Sequence, residues 1–107
     1  MILKVIKRNG EEVSFEISKI KNAITKANQE IPKIHQLNSY QIDAIADTIE
    51  RQLQDLPHAA NVEDIQDMVE KGIMEMRGYE VAQKYVRYRF KRELARKANT
   101  TDNGILS

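Results

Sequence analysis

Lys7, Arg8 and Lys19 are the residues whose type and spacing best suit chemistry in this 107-residue chain. Lys7 and Arg8 stand beside Asn9-Gly10, and Lys19 follows Ser18 where a β-branched run gives way to helical spacing. A bound phosphate needs cations and converging N–H donors, and a helix N-terminus supplies the donors with a favourable dipole. Cations on a rigid hairpin and on the helix start after it could gather one polyphosphate without a glycine-rich loop. Neither a GxxxxGKS/T nor a GxGxxG pattern occurs. On pattern alone, solubilising or edge-protecting charges fit Lys7 and Arg8 better than a ligand role does.

A second group of cations lies near the C-terminus: Lys84, Arg87, Arg89, Lys91, Arg92, Arg96 and Lys97. Lys84, Arg87 and Lys91 stack at i, i+3, i+7, and Tyr88 stands beside Arg92 at i, i+4. A solvated basic face, phosphate binding and nucleic-acid binding all fit this pattern. Catalysis is poorly served. His35 and His58 are 23 residues apart, with no cysteine and no HExxH pattern, so no metal site is expected. Asp64, Asp67 and Glu70 follow i, i+3, i+6 and read as a wet helix face, while Met68, Met74 and Met76 read as core filler or interface. No nucleophile and base stand at a defensible spacing.

The elements that must position these groups can be read from periodicity. Ile2 to Arg8 and Glu11 to Ile17 alternate around Asn9-Gly10, which predicts a hairpin over residues 2–17 with a two-residue turn. That turn sets Arg8 opposite Glu11, Lys7 opposite Glu12, Ile6 opposite Val13 and Lys4 opposite Phe15. One face then carries Ile2, Ile6, Val13, Phe15 and Ile17, the other Leu3, Val5 and Lys7 with Glu12, Ser14 and Glu16. Ser18 suits the N-cap of a first helix with Ile20, Ala23, Ile24 and Ala27 inward, ending near Asn28. After a loop containing Pro32, Ser39 suits the cap of a second helix, with Ile42, Ile45, Ala46, Ile49 and Leu53 inward and Pro57 closing it. Asn61 with Asp64 three residues on opens a third, with Ile65, Met68 or Val69, and Ile73 inward, and Gly78 is the expected C′ residue. A last helix is expected over Tyr79 to Ala98, with Val81, Ala82, Tyr85, Val86, Phe90 and Leu94 at its apolar positions. The fold class is therefore α+β, a hairpin over about four helices.

Composition bounds the rest. The chain is one small domain, and the absence of cysteine excludes a disulfide scaffold, a thiolate zinc site and a thiol nucleophile within it. No stretch approaches the roughly 20 apolar residues of a membrane span and no signal peptide opens the chain, so a cytoplasmic, membrane-free protein is the expectation. The net charge of +1 hides a segregation: residues 1–37 carry seven cations against four anions, residues 38–72 two against eight, and residues 73–107 eight against four. An anion should be received where the two basic ends meet, while the acidic middle weakens any broad attraction for nucleic acid.

Four stretches in order, "VIKRNG", "FEISKIKNAI", "NVEDIQDMVE" and "GYEVAQKYVRYRFKREL", closely resemble the ATP-cone, the nucleotide-sensing domain of ribonucleotide reductases and of their transcriptional repressor. The terminal "NTTDNGILS" resembles the segment after the cone in anaerobic, glycyl-radical ribonucleoside-triphosphate reductases. The repressor would bring a cysteine zinc ribbon, and this chain has no cysteine. The resemblance implies a cone over residues 1–98 and a linker over 99–107 toward the catalytic body of a parent reductase. It also implies a regulatory domain, not an enzyme, which binds ATP (activating) or dATP (inhibiting), with Mg²⁺ on the phosphates and nucleotide-dependent oligomerisation among its partners. By position, Lys7, Arg8 and Lys19 match phosphate-binding cations; Val5, Phe15, Ile17 and Ile20 match apolar positions around the base, and Glu16 one that hydrogen-bonds it. Val62 and Gln66 match the adenine side. Glu93 falls where cones offer a last cation, a departure that shifts the expected contact to Arg92 or Lys91, with Arg89. The alternative is a nucleic-acid-binding module using the last helix, or an oligomerisation module using Met68, Met74 and Met76.

Overall fold

The expected hairpin is present as β1 (Leu3–Ile6) and β2 (Glu12–Phe15), in a computed structural model that describes residues 3–7 and 9–106, with side chains through residue 95. Its register differs by one residue from the expected one: Leu3 pairs with Phe15, Lys4 with Ser14, Val5 with Val13 and Ile6 with Glu12. The cause lies in the turn. The Gly10 N–H donates to the Lys7 carbonyl (2.9 Å) and the Lys7 N–H to the Glu11 carbonyl (2.8 Å), so the loop spans three residues, 8 to 10, instead of two. Gly10 takes φ +87°, a left-handed conformation that only glycine adopts freely, and Asn9 Oδ1 accepts the Glu11 N–H at 2.9 Å. A one-residue shift exchanges the faces of one strand relative to the other. Leu3, Val5 and Lys7 therefore share a face with Val13 and Phe15, while Lys4 and Ile6 share the opposite one with Glu12 and Ser14. On that outer face Lys4 Nζ lies 3.8 Å from Glu12 Oε1. Ile2 and Arg8, both assigned to the expected hairpin, lie outside the described residues.

β1 has a second neighbour that no periodicity signals. The two-residue β3 (Ala60–Asn61) pairs with it in parallel, Val5 beside Ala60 and Ile6 beside Asn61, giving the order β2-β1-β3.

The helices follow the expected stripes, but their ends are corrected. α1 (Ser18–Gln29) has Ser18 as its first helical residue; the cap position is Ile17, itself in the αR region and without a side-chain cap. The chain winds into α1 straight from a turn, so the Lys19 and Ile20 N–H groups already bond to the Glu16 and Ile17 carbonyls at 3.0 Å. α2 (Ser39–Asp55) is capped by Asn38 instead of Ser39. Asn38 Oδ1 accepts the Gln41 N–H and Gln41 Oε1 accepts the Asn38 N–H, both at 2.9 Å, a reciprocal box that Ser39 cannot form one position later. α3 (Val62–Glu75) is capped as expected by Asn61, whose Oδ1 accepts the Asp64 N–H at 2.8 Å. At its end Arg77, with φ 62°, takes the left-handed position expected of Gly78. The Arg77 and Gly78 N–H groups close the helix on Met74 and Ile73 carbonyls, at 2.9 and 3.1 Å. Gly78 serves proximity instead: a Cβ there would sit 3.0 Å from Leu37 Cδ2.

α4 (Tyr79–Leu106) runs past the expected end at Ala98. Val81, Ala82 and Tyr85 are buried, whereas Val86, Phe90 and Leu94 are exposed, contrary to expectation. Both sets are apolar at helical spacing, and packing selects the one that meets α1 and α3. The largest fully buried side chains, Ile24, Ile45, Ile49, Val69, Ile73 and Val81, come from all four helices.

Between α1 and α2, after a 3₁₀ turn at Lys33–His35, buried Asn28 holds the returning chain. Its Nδ2 donates to the Leu37 carbonyl at 2.9 Å and its Oδ1 accepts the Leu37 N–H at 2.8 Å. Asn28→Ala leaves both Leu37 groups unpaired in a buried place, so urea denaturation should show a loss of about 2–3 kcal/mol.

Candidate functional site

β3 leads directly into α3, so the parallel pairing of Ala60–Asn61 with β1 sets the first turns of α3 beneath the inward face of the hairpin. α4 returns along α3 and brings Tyr85 and Arg92 to the same place, while α1 contributes its opening turns. Together they enclose a hollow of about 450 Å³, within the usual range of roughly 300–1,000 Å³ for small-molecule sites. Its lining is Val5, Lys7, Val13, Ser14, Phe15, Lys19, Ile20, Ala23, Val62, Ile65, Gln66, Val69, Tyr85 and Arg92. Of the residues singled out in the sequence, Val5, Lys7, Phe15, Lys19, Ile20, Val62, Gln66 and Arg92 meet here. The observed register matters: it brings Lys7 onto the face of Val13 and Phe15, where the two-residue turn would have put it on the other.

Among the described residues, three cations line this hollow, drawn from both basic ends of the chain, and no carboxylate does. Its floor is apolar. Arg92 lies with its guanidinium carbon 5.8 Å from the centre of the Tyr88 ring, and Lys26 Nζ lies 5.9 Å from that ring. Such contacts orient a cation without neutralising it. Burial pushes the Tyr85 hydroxyl up to about 12, so it stays a neutral donor at physiological pH. Gln66 Oε1 is buried with no hydrogen-bond partner, a condition that costs about 1–3 kcal/mol unless a donor arrives. The hollow therefore suits a ligand with an anionic end, an apolar flat body and a hydrogen-bond donor. A second hollow of about 490 Å³ between α2 and α3 offers Lys71 beside Glu75, a pair without net charge for an anion.

Other expected site residues are elsewhere. Glu16 and Ile17 line a neighbouring shallow hollow with Leu3, Ser18 and Glu50, which shares Ser14 and Phe15 with the first. Lys91 is exposed outside the lining, and Arg8 lies outside the described residues. The expected helix-end donors are also spent, since the Lys19 and Ile20 N–H groups are bonded within the chain. Arg89 faces α3 instead of the hollow: its Nη1 donates to Asp67 Oδ1 at 2.8 Å and to Glu70 Oε1. Burial works to lower the Arg89 pKa, but the bonds to Asp67 and Glu70 outweigh it and raise the value. Val13, Tyr85 and Val69 were not legible as lining. Their signal was only that of core positions, and the register and the path of α4 turn them toward the hollow. Among the described residues, no group of histidine and carboxylate side chains could hold a metal ion.

Comparison with known proteins fits this arrangement. A family model described as "ATP cone domain" matches residues 3–94. The chain is 34% identical over 109 residues to a ribonucleoside-diphosphate reductase subunit alpha of Chlamydia pneumoniae, covering 96% of this chain and 10% of that protein. It is 37% identical over 93 residues to an anaerobic ribonucleoside-triphosphate reductase of Haemophilus influenzae, covering 86% of this chain and 13% of that protein. It thus spans about a tenth of the length of these relatives.

The Arg89 cluster carries its own test. Arg89→Met leaves Asp67 and Glu70 side by side on α3 without the cation that α4 supplies. A loss of about 1–2 kcal/mol is expected in chemical denaturation, shrinking as salt screens the two carboxylates.

Proposed function

The chain belongs to the ATP-cone family, and from that premise we propose that it is a regulatory domain binding ATP or dATP in the hollow between hairpin, α1, α3 and α4. ATP-cone domains bind adenine nucleotides. The lining of this hollow supports the assignment: Lys7, Lys19 and Arg92 stand over an apolar floor, with no carboxylate among the described residues of the lining. In this reading the three cations hold the triphosphate, Val5, Val13, Phe15 and Ile20 cover the base, and Gln66 takes a hydrogen bond from its amino group. Mg²⁺ would travel with the phosphates, since the described residues of the lining offer no carboxylate to ligate it.

The relatives support a role. As part of a ribonucleotide reductase, such as an anaerobic ribonucleoside-triphosphate reductase, the domain does no chemistry itself. It reports the nucleotide pool to a catalytic body, with ATP sustaining and dATP suppressing overall activity. Two ligands that differ by one 2′-hydroxyl can act oppositely only if they favour different conformations or assemblies, and about 1–3 kcal/mol of coupling suffices.

Calorimetric titration with ATP, dATP and GTP in the presence of Mg²⁺ tests the binding step. Saturable binding of both adenine nucleotides, with GTP much weaker, is expected; silence toward both would sink the proposal. Lys7→Ala and Lys19→Ala, both at exposed positions, should leave the melting curve intact. Each should weaken binding roughly tenfold or more, the scale of a lost charge-assisted hydrogen bond.

Gln66→Leu separates the base from the phosphates. Removing a buried amide oxygen that has no partner should leave the free domain as stable or stabler by up to about 1 kcal/mol. The preference for ATP over GTP, measured in the same titration, should narrow.

A further inference from the structure

The outward face of α4 has no part in the nucleotide hollow and is unusually apolar. Tyr79, Val86, Phe90 and Leu94 are 58, 44, 59 and 50% exposed. With Gln83 they fall within roughly 80° of arc at about 100° per residue, a continuous stripe on the side away from Val81 and Tyr85. Met74, at the end of α3 and 52% exposed, extends it through a shallow hollow shared with Tyr79 and Val86. Met68 and Met76 pack against the core, so of the three methionines only Met74 serves this face.

The two flanks of the stripe have opposite charge. The bonds of Arg89 to Asp67 and Glu70 place α3 along one flank, where exposed Glu63, Asp64, Asp67 and Glu75 outnumber the cations Lys71 and Arg89. Along the other flank run Lys84, Arg87 and Lys91, which outnumber Glu80. An apolar seam between flanks of opposite sign is self-complementary under one choice of twofold axis. With the axis parallel to α4, two copies lie with their α4 helices parallel, and each basic flank covers the acidic flank of the other copy. With the axis across α4 the helices run antiparallel and basic meets basic.

We propose that a second copy of this chain docks on this face, in a parallel twofold dimer in which each stripe residue meets its own counterpart. Heights along the helices agree with this. α3 and α4 are joined at Arg77–Gly78, and at about 1.5 Å per residue Arg87 and Asp67 both lie roughly 12 Å from that turn. Arg87 of one copy is thus level with Asp67 of the other, and Lys91 with Asp64. The contact extends over about four helical turns, at the small end for a specific interface, so the dimer is concentration-dependent. This inference stands apart from the nucleotide assignment, because none of the stripe residues lines the hollow.

The chain has no cysteine, so single introduced cysteines report the geometry cleanly. Sedimentation equilibrium of the unaltered chain should show a dimer that grows with concentration. Under mild oxidation Gln83→Cys and Val86→Cys should each link to themselves, far faster than Tyr40→Cys on an exposed position of α2. Val86→Glu should raise the dimer dissociation constant at least tenfold while leaving the melting curve and the ATP titration unchanged. A monomer at every concentration would overturn the proposal. So would equal linking of Tyr40→Cys, or a mixture of Val86→Cys and Phe90→Cys chains that links across the two variants in preference to self-pairs.

Discussion

Two residues of parallel pairing hold the rest together. Without Ala60–Asn61 beside Val5 and Ile6, the hairpin would be an isolated two-stranded ribbon, which is marginal in water. With it, β1 becomes a central strand, and the sheet is tied to the residue that caps α3. Asn61 does both tasks, pairing beside Ile6 and accepting the Asp64 N–H, so the height and direction of α3 under the sheet follow from one position. The hollow depends on this. Its roof is the inward face of β1 and β2, and one wall is the first turns of α3.

What was legible in the sequence was local. Alternation around Asn9-Gly10 marks the hairpin, and the apolar stripes of Ile20 to Ala27, Ile42 to Ile49 and Ile65 to Ile73 mark three helices with the buried sides found. What was not legible depends on geometry that residue types do not encode. A two-residue and a three-residue loop share the same Asn-Gly signal, and the choice between them decides which face Lys7 joins. A strand of two residues has no periodicity to read. The capping errors at Ser18 and Ser39 were one residue wide, because Asn38 competes with its neighbour for the same donors and Ile17 enters α1 without a cap. α4 is apolar on two sides, so periodicity could not say whether Tyr85 or Phe90 faces the core.

The same distinction runs through the candidate site. Lys7 and Lys19 were singled out by type and spacing, whereas Val62 and Gln66 came from the resemblance of whole stretches, which carries tertiary information that spacing lacks. Arg89 shows the limit of that approach. It sits among cations on a basic helix, yet the acidic outer face of α3 claims it through Asp67 and Glu70. Segregated charge thus has an internal use: Lys21 with Asp43, 3.3 Å apart, joins basic α1 to acidic α2 as Arg89 joins α4 to α3. The cations left over on the inner side are the ones that line the hollow.

α4 leaves the hollow at Arg92 and continues to Leu106, a further 14 residues or roughly 21 Å of unbroken helix. A helix of that length behaves as a stiff rod. Whatever draws Arg92 toward Lys7 and Lys19 pulls on the short arm of a lever whose pivot is the buried contact of Val81 and Tyr85. A small tilt at the pivot is then magnified into a larger displacement at the far end of the helix.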